Sequence, residues 1–326
     1  MSNKLEKPSG SGSLERPYKI KTLEDLQYIS EEPDAHYILL NNIDGNKSEI
    51  SSINLLSGSL NGNGYEIKKI KISEPSNNTG LFRCNNGKIV GLTINRLLLS
   101  GENMTGGIAG VNNGKIKNCK IRNSQIFGSV ETGGIAGLNE DGVLKDNTVK
   151  ETNIYGDYNT GGIVGIIKGN ASIYNCTFNG RIKCKNGAGG IVGETELTEK
   201  VIIKNCKSSG CINGTEEFSG GVAGILENSI VSNSHSTAKV KGNSEIGGLV
   251  GRNHGLIRKS YYSGELDGVK KKGYLVGENR NVVKCCYWVG NKNIIKGIGT
   301  QKGEIEDIGE RENTDEIKKE LLVKSI

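Results

Sequence analysis

The sequence predicts an all-β protein: a right-handed parallel β-helix of about eight coils, each of 26–31 residues. Three observations carry that reading. A phrase of the form TGGIAGVNNGKIKNC recurs, and the second glycine of its Gly-Gly pair falls at Gly107, Gly134, Gly162, Gly190, Gly221 and Gly248. Such a period belongs to solenoids. Glycine is abundant at 48 residues while proline is scarce at 4, which is not the profile of a disordered chain. No amphipathic stretch of helical period recurs, and paired glycines inside each unit would cost a helix about 1 kcal/mol apiece.

Taken in order, residues 1–16 read as a polar leader, with GSGS at positions 10–13 and no apolar core of a secretory signal. Residues 17–75 read as an N-terminal cap and first coil. Thr22 is placed to cap a short helix carrying Leu23, Leu26 and Ile29 on one face, and a strand around HYILL and a Gly-Asn-Gly turn follow. Residues 76–290 hold the repeats, with degenerate copies at Gly80 and in KGYLVG. Each unit divides into three short β-like segments: the Gly-Gly segment, one ending in Asn-Cys, and a third such as SQIFG or TNIYG. Residues 291–326 read as a C-terminal cap ending in an amphipathic helix from Thr314 that carries Ile317, Leu321 and Leu322. Helices at both ends suggest a self-contained, capped solenoid.

The recurring letters have structural roles to fill. Gly-Gly permits φ > 0 and a close backbone approach at one bend. Asn118, Asp146, Asn175, Asn205 and Asn233 occupy the next bend, where Asn and Asp tolerate left-handed geometry and can bridge from coil to coil. Cys119, Cys176 and Cys206, with Asn147, Ser234, Ser260 and Cys286, are small inward fillers. The eight cysteines form no CxxC pair and there are three histidines, so neither a zinc site nor a cofactor is expected. No apolar run is long enough to span a bilayer.

Function classes are narrowed by the same columns. Glu140, Asp141, Asp146 and Asp157 crowd one coil, but their counterparts elsewhere are Asn, Gly or Lys, so no carboxylate cluster of the kind glycan cleavage needs is expected. Two positions before the Cys ladder stand Lys117, Lys145, Tyr174, Lys204, Ser232, Arg258 and Lys284. Just after it stand Lys120, Thr148, Thr177, Lys207, His235, Tyr261 and Tyr287. Alternation puts both columns outside, and together they predict a basic stripe with interleaved aromatics along one flat face. A net charge of +6 permits an anionic partner: an acidic glycan or surface polymer, or nucleic acid.

The unit TGGIAGVNNGKIKNC resembles the GLUG repeat, whose core here appears as GGIAG, GGIVG, GGVAG and GGLVG. The lead-in YKIKTLEDLQYISEEPDAHYILLNNID and the tail GTQKGEIEDIGERENTDEIKKEL are similar to segments that flank such repeats. The resemblance covers about residues 18–322. It implies a β-solenoid of bacterial or archaeal surface proteins, adhesins, non-catalytic portions of IgA-cleaving metallopeptidases, or phage particles. It supplies no catalytic residue, and no HExxH occurs. The expectation is a non-enzymatic adhesion or scaffold module of a cell surface or virion, binding a glycan or a protein. Alternatives are a β-helix polysaccharide lyase or hydrolase, and an intracellular protein- or nucleic-acid-binding solenoid.

Overall fold

Alternation in Lys115–Lys117 and Lys120–Arg122 buries Ile116 and Ile121 and turns the flanking cations outward. Repeated in every coil, this builds the whole molecule. A computed structural model describes residues 5–197, 200–290 and 296–323. In it the chain is a parallel β-solenoid of about nine turns, 57% strand and 6% helix. At about 4.8 Å per turn, it extends roughly 40 Å along its axis.

In later coils adjacent strands run together, as in Thr148–Tyr155 and Ala223–Ser232, but the early coils contribute five short strands each rather than three. In one coil they are Thr105–Gly106, Ala109–Asn112, Lys115–Lys117, Lys120–Arg122 and Gln125–Phe127, and each pairs in parallel with its counterpart in the next coil. Five sheets therefore run the length of the stack, named here the first to the fifth in that order. The predicted three segments split because single residues in left-handed conformation break them. Asn118 (φ 52°) parts the third sheet from the fourth, and Asn123 (φ 52°) parts the fourth from the fifth.

Inward columns make one continuous core. In the fourth sheet Ile67, Ile94, Ile121, Val149 and Phe178 stack in register, and Ile89, Ile116, Leu144, Ile173 and Ile203 do so in the third. Each such side chain contributes about 1.5–3 kcal/mol by leaving water.

Gly-Gly works differently from expectation. None of the second glycines lies in the left-handed region, and residues such as Glu131 and Asn159 take that conformation instead. The requirement is room. A Cβ on Gly162 would overlap the Gly190 carbonyl oxygen and the Phe178 ring, and one on Gly248 would overlap the Tyr262 ring. The glycine column thus leaves space for the fourth-sheet side chain opposite it.

Helix α1 (Leu23–Gln27) opens with a capping box: Thr22 Oγ1 accepts from the Asp25 amide at 3.0 Å, and Asp25 Oδ2 accepts from the Thr22 amide at 3.0 Å. Helix α2 (Thr314–Val323) lies against the outer side of the last coils, where Ile317 is buried with Tyr261 and Tyr287. Leu321 packs beside them, while Leu322 stays exposed. Among the described residues no helix is long and apolar enough to cross a membrane.

Candidate functional site

The left-handed bend between the third and fourth sheets forms an outer corner. Asn118, Asp146, Asn175 and Asn205 line it, all with φ between 52° and 57°. Part of the predicted bridging is in place: Asn175 Nδ2 donates to Asp146 Oδ1 at 2.8 Å and Asn205 Nδ2 donates to Asn175 Oδ1 at 3.0 Å. Behind the corner the ladder residues point inward. Cys119, Cys176 and Cys206 are fully buried, and all eight cysteines are free thiols. Burial pushes the Cys119 and Cys206 thiols up to about 12, so no reactive thiolate forms there. The Cys119 amide donates to Asn147 Oδ1 at 2.9 Å, and the Cys206 amide donates to Ser234 Oγ at 3.1 Å.

The two predicted columns flank this corner on adjacent sheets and do not share one flat face. Lys117, Lys145, Tyr174, Lys204, Ser232, Arg258 and Lys284 stack in register on the third sheet. Lys120, Thr148, Thr177, Lys207, His235, Tyr261 and Tyr287 stack on the fourth. The Lys-Asn-Cys-Lys corner at residues 117–120 is repeated letter for letter at 204–207, three coils along. Lys117, Lys120, Lys145, Lys204, Lys207 and Arg258 are exposed, and Tyr174 is half-buried.

The C-terminal end of the stripe departs from expectation. Tyr261 and Tyr287 are buried beneath α2, because the helix needs an apolar surface for Ile317 and the two rings supply it. Arg311 stacks over the Tyr287 ring, 4.3 Å from its centroid, and forks onto Glu320 of α2 at 2.7 and 2.8 Å. Lys284 is paired with Glu306 at 2.7 Å. His235 stacks on Tyr261 with centroids 4.7 Å apart. Burial, with the charges of Lys207 and Lys318, lowers its pKa to about 4.

The carboxylates noticed in the sequence are each engaged separately. Glu140 pairs with Lys168 at 3.5 Å, Asp157 pairs with Lys185 at 2.8 Å, and Asp141 accepts from the Asn170 amide at 2.7 Å. Other carboxylates come near one another from separate coils. Glu194 lies within electrostatic reach of Glu227, Glu196 and Glu131, and burial raises the carboxyl pKa of both Glu194 and Glu131. The Glu227 carboxylate accepts from His254 Nδ1 at 2.7 Å. Glu131 stands at the bend before Gly133-Gly134, whereas Glu194 and Glu227 follow their own Gly-Gly pairs in Val192–Thr195 and Ala223–Ser232, so linear spacing hides them. Among the described residues no group of three or more His, Cys, Asp or Glu side chains is arranged to hold a metal ion.

Two further features escaped the sequence reading. Asn85, Asn112 and Asn139 form a fully buried amide ladder at the end of the second sheet, linked at 2.6 Å per step. The column then passes through Ile167, and a separate amide pair, Asn253 donating to Asn279 at 2.7 Å, stands further along the stack. Their signal was present: Asn112, Asn139 and Asn253 each stand five residues after the second glycine of their pair. The other is an ion network in the last coils. Fully buried Glu278 binds Arg280 at 2.7 Å, Lys302 at 2.9 Å and Lys271 at 3.2 Å. Burial alone would raise its pKa, and these three cations overcome that and hold it far below the usual range.

The fold and its repeated corner define a parallel β-solenoid repeat module. The comparisons narrow that class. A family model, described as the GLUG motif, matches residues 156–183. Halomucin from Haloquadratum walsbyi is 32% identical over 114 residues, covering 29% of this chain, and the chain spans about 1% of that protein's length. The solenoid superimposes on a crystal structure described as "a putative immunoglobulin A1 protease from Bacteroides ovatus". That match has a TM-score of 0.50 and 17% identity, covers 98% of this chain and 90% of the other, and is a likeness of fold alone. The chain carries the GLUG motif, and its repeats and fold fit a surface-protein repeat module.

Proposed function

We propose that the chain is a non-enzymatic adhesion or scaffold module of a cell-surface or virus-particle protein, and that it holds an anionic glycan or surface polymer along the Asn corner. One observation carries this reading. Lys117, Lys120, Lys145, Lys204, Lys207 and Arg258 form a set at one corner with no ion-pair partner among the described residues, whereas some cations elsewhere find carboxylates, as Lys69 finds Asp44 and Arg122 finds Glu66. Lys117 and Lys145 are direct neighbours across a parallel pair. Like charges about 5 Å apart repel by up to roughly 1 kcal/mol in water and by a few tenths once screened by salt, and a polyanion laid along the corner relieves that. The exposed amides of Asn118, Asn175 and Asn205 supply hydrogen bonds between the cations. Binding of an acidic polysaccharide at two salt concentrations, with DNA as competitor, tests it. Lys117→Thr with Lys204→Thr should weaken binding and lower its salt dependence. Salt-insensitive binding, or none, sinks the reading, and preference for DNA redirects it to nucleic acid.

A glycan-cleaving activity is the second reading, favoured by the partly buried carboxyl of Glu194, raised by burial and near both Glu227 and Glu131. It requires new reducing ends from an acidic or neutral polymer, lost in Glu194→Gln. No product with the native chain removes it.

A further inference from the structure

A recess of about 480 Å³, within the range of small-molecule sites, opens at the corner between the fourth and fifth sheets in the first coils. It lies apart from the Asn corner. Lys47, Lys69, Lys71 and Arg96 rim it, and Ile70 and Leu98 form its floor.

Two independent features mark it. The first is charge at strained positions. Lys47, Lys69 and Arg96 all take left-handed backbone conformations, with φ of 67°, 54° and 58°. That conformation is uncommon for long side chains and favours Asn. At this same bend the next coils carry Asn123 and Glu151, so the cations are confined to the recess. The bends stack directly: the Lys47 amide donates to the Lys69 carbonyl at 2.7 Å, and the Lys69 amide donates to the Asn95 carbonyl at 2.9 Å. Asp44 pairs with Lys69 at 2.8 Å and Glu49 with Lys71 at 2.9 Å. Lys47 and Arg96 have no ion-pair partner among the described residues. Two carboxylates against four cations leave the rim positive.

The second is an exposed apolar residue. Leu98 is 41% exposed in an outward column whose nearest members are Lys71, Gln125, Asn153 and Arg181. The fold gives it no partner there that a polar residue would lack. With the edge of Ile70 and the lysine stems it makes a small apolar patch, the size of a ring face and too short for an acyl chain.

Left-handed bends recur along the stack, and those at this corner carry cations over an apolar floor. We propose that this recess is a discrete binding site for a carboxylate-bearing sugar, a uronic-acid unit, with its carboxylate on Arg96 and Lys47 and the apolar face of its ring on Leu98. The site is independent of the Asn corner and takes a single short ligand rather than a polymer track.

Titration calorimetry of the intact chain with trigalacturonate tests it. The expected result is saturable one-to-one binding. Arg96→Gln should weaken it about tenfold or more through loss of a charge-assisted hydrogen bond, and Leu98→Ser several-fold. Lys204→Thr at the Asn corner should leave it unchanged, so failure here and failure of the corner reading are distinguishable. Both recess residues are exposed, so these variants fold. The methyl ester of the same trisaccharide should bind at least tenfold more weakly. No binding at millimolar trigalacturonate, equal binding of the ester, indifference to Arg96→Gln, or binding of octanoate in its place overturns the proposal.

Discussion

Asn112 sits inside the stack with no exposed surface and joins two neighbours. It accepts from Asn85 Nδ2 and donates to Asn139 Oδ1, both at 2.6 Å, and also donates to the Gly114 carbonyl at 3.3 Å. Replacing it with Leu leaves the Asn85 amide without its acceptor and Asn139 Oδ1 without its donor. Each buried orphan costs about 1–3 kcal/mol, so Asn112→Leu should destabilise by about 2–4 kcal/mol after local relaxation. The column itself accepts an apolar side chain, because Asn139 is followed in register by buried Ile167. The triple variant Asn85→Leu, Asn112→Leu, Asn139→Leu removes both sides of each amide contact and should cost clearly less than the three single changes summed. Urea unfolding followed by circular dichroism measures this, with hydrogen exchange locating the loss, since a stack whose coils touch only their neighbours need not melt in one step. A single-variant cost below about 0.5 kcal/mol, or strict additivity in the triple, would refute the ladder as a coupled unit.

Four further outcomes are expected. Gly162→Ala, which drives a Cβ into the Phe178 ring and the Gly190 carbonyl, should cost about 3 kcal/mol or more in urea unfolding. Gly64→Ala has φ +80° but open space around its Cβ and should cost only about 1–2 kcal/mol. A thiol reagent on the native chain should label only the half-buried Cys84, Cys211 and Cys285 quickly, and the other five after unfolding. His235 binds its proton less readily folded, at about 4, than its ordinary 6.5. Its contribution is therefore present above pH 6.5 and is lost as pH falls toward 4. The loss is at most about 3 kcal/mol and is reduced by partial exposure. Native chain and His235→Tyr should diverge in stability between pH 7 and 4.5, with the variant flatter.

What the sequence disclosed followed from periodicity. Inward Ile116, Ile121 and Cys119, the left-handed Asn118 and the register of the lysine columns all repeat every coil, and repetition makes them visible. Three kinds of feature were hidden. Strands of two to four residues separated by a single bent residue look like one strand, so five sheets read as three. Glu131 and Glu227 both come within reach of Glu194 from different coils, and no fixed spacing announces them. Helix α2 displayed its apolar face in Ile317 and Leu321, but an amphipathic pattern does not name its receiver. Tyr261 and Tyr287 therefore looked like ligand-facing aromatics when they are the surface on which that helix lies.

The inward letters are dictated by packing, whereas the outward ones at the Asn corner are not. Thr148 and Thr177 occupy the column of Lys120 and Lys207, and Ser232 occupies that of Lys204. These small polar residues satisfy the same strand positions, so the solenoid does not need lysine there. Stacked Lys117 and Lys145 cost the fold a few tenths of a kcal/mol by repulsion. Lys117→Thr with Lys204→Thr should therefore leave stability equal or slightly higher while weakening the polyanion. A residue kept only for solubility would give the first result without the second, and a residue kept for structure would lower both. Stability and binding measured on the same double variant separate these cases, and opposite signs are the outcome that ties the corner to a ligand.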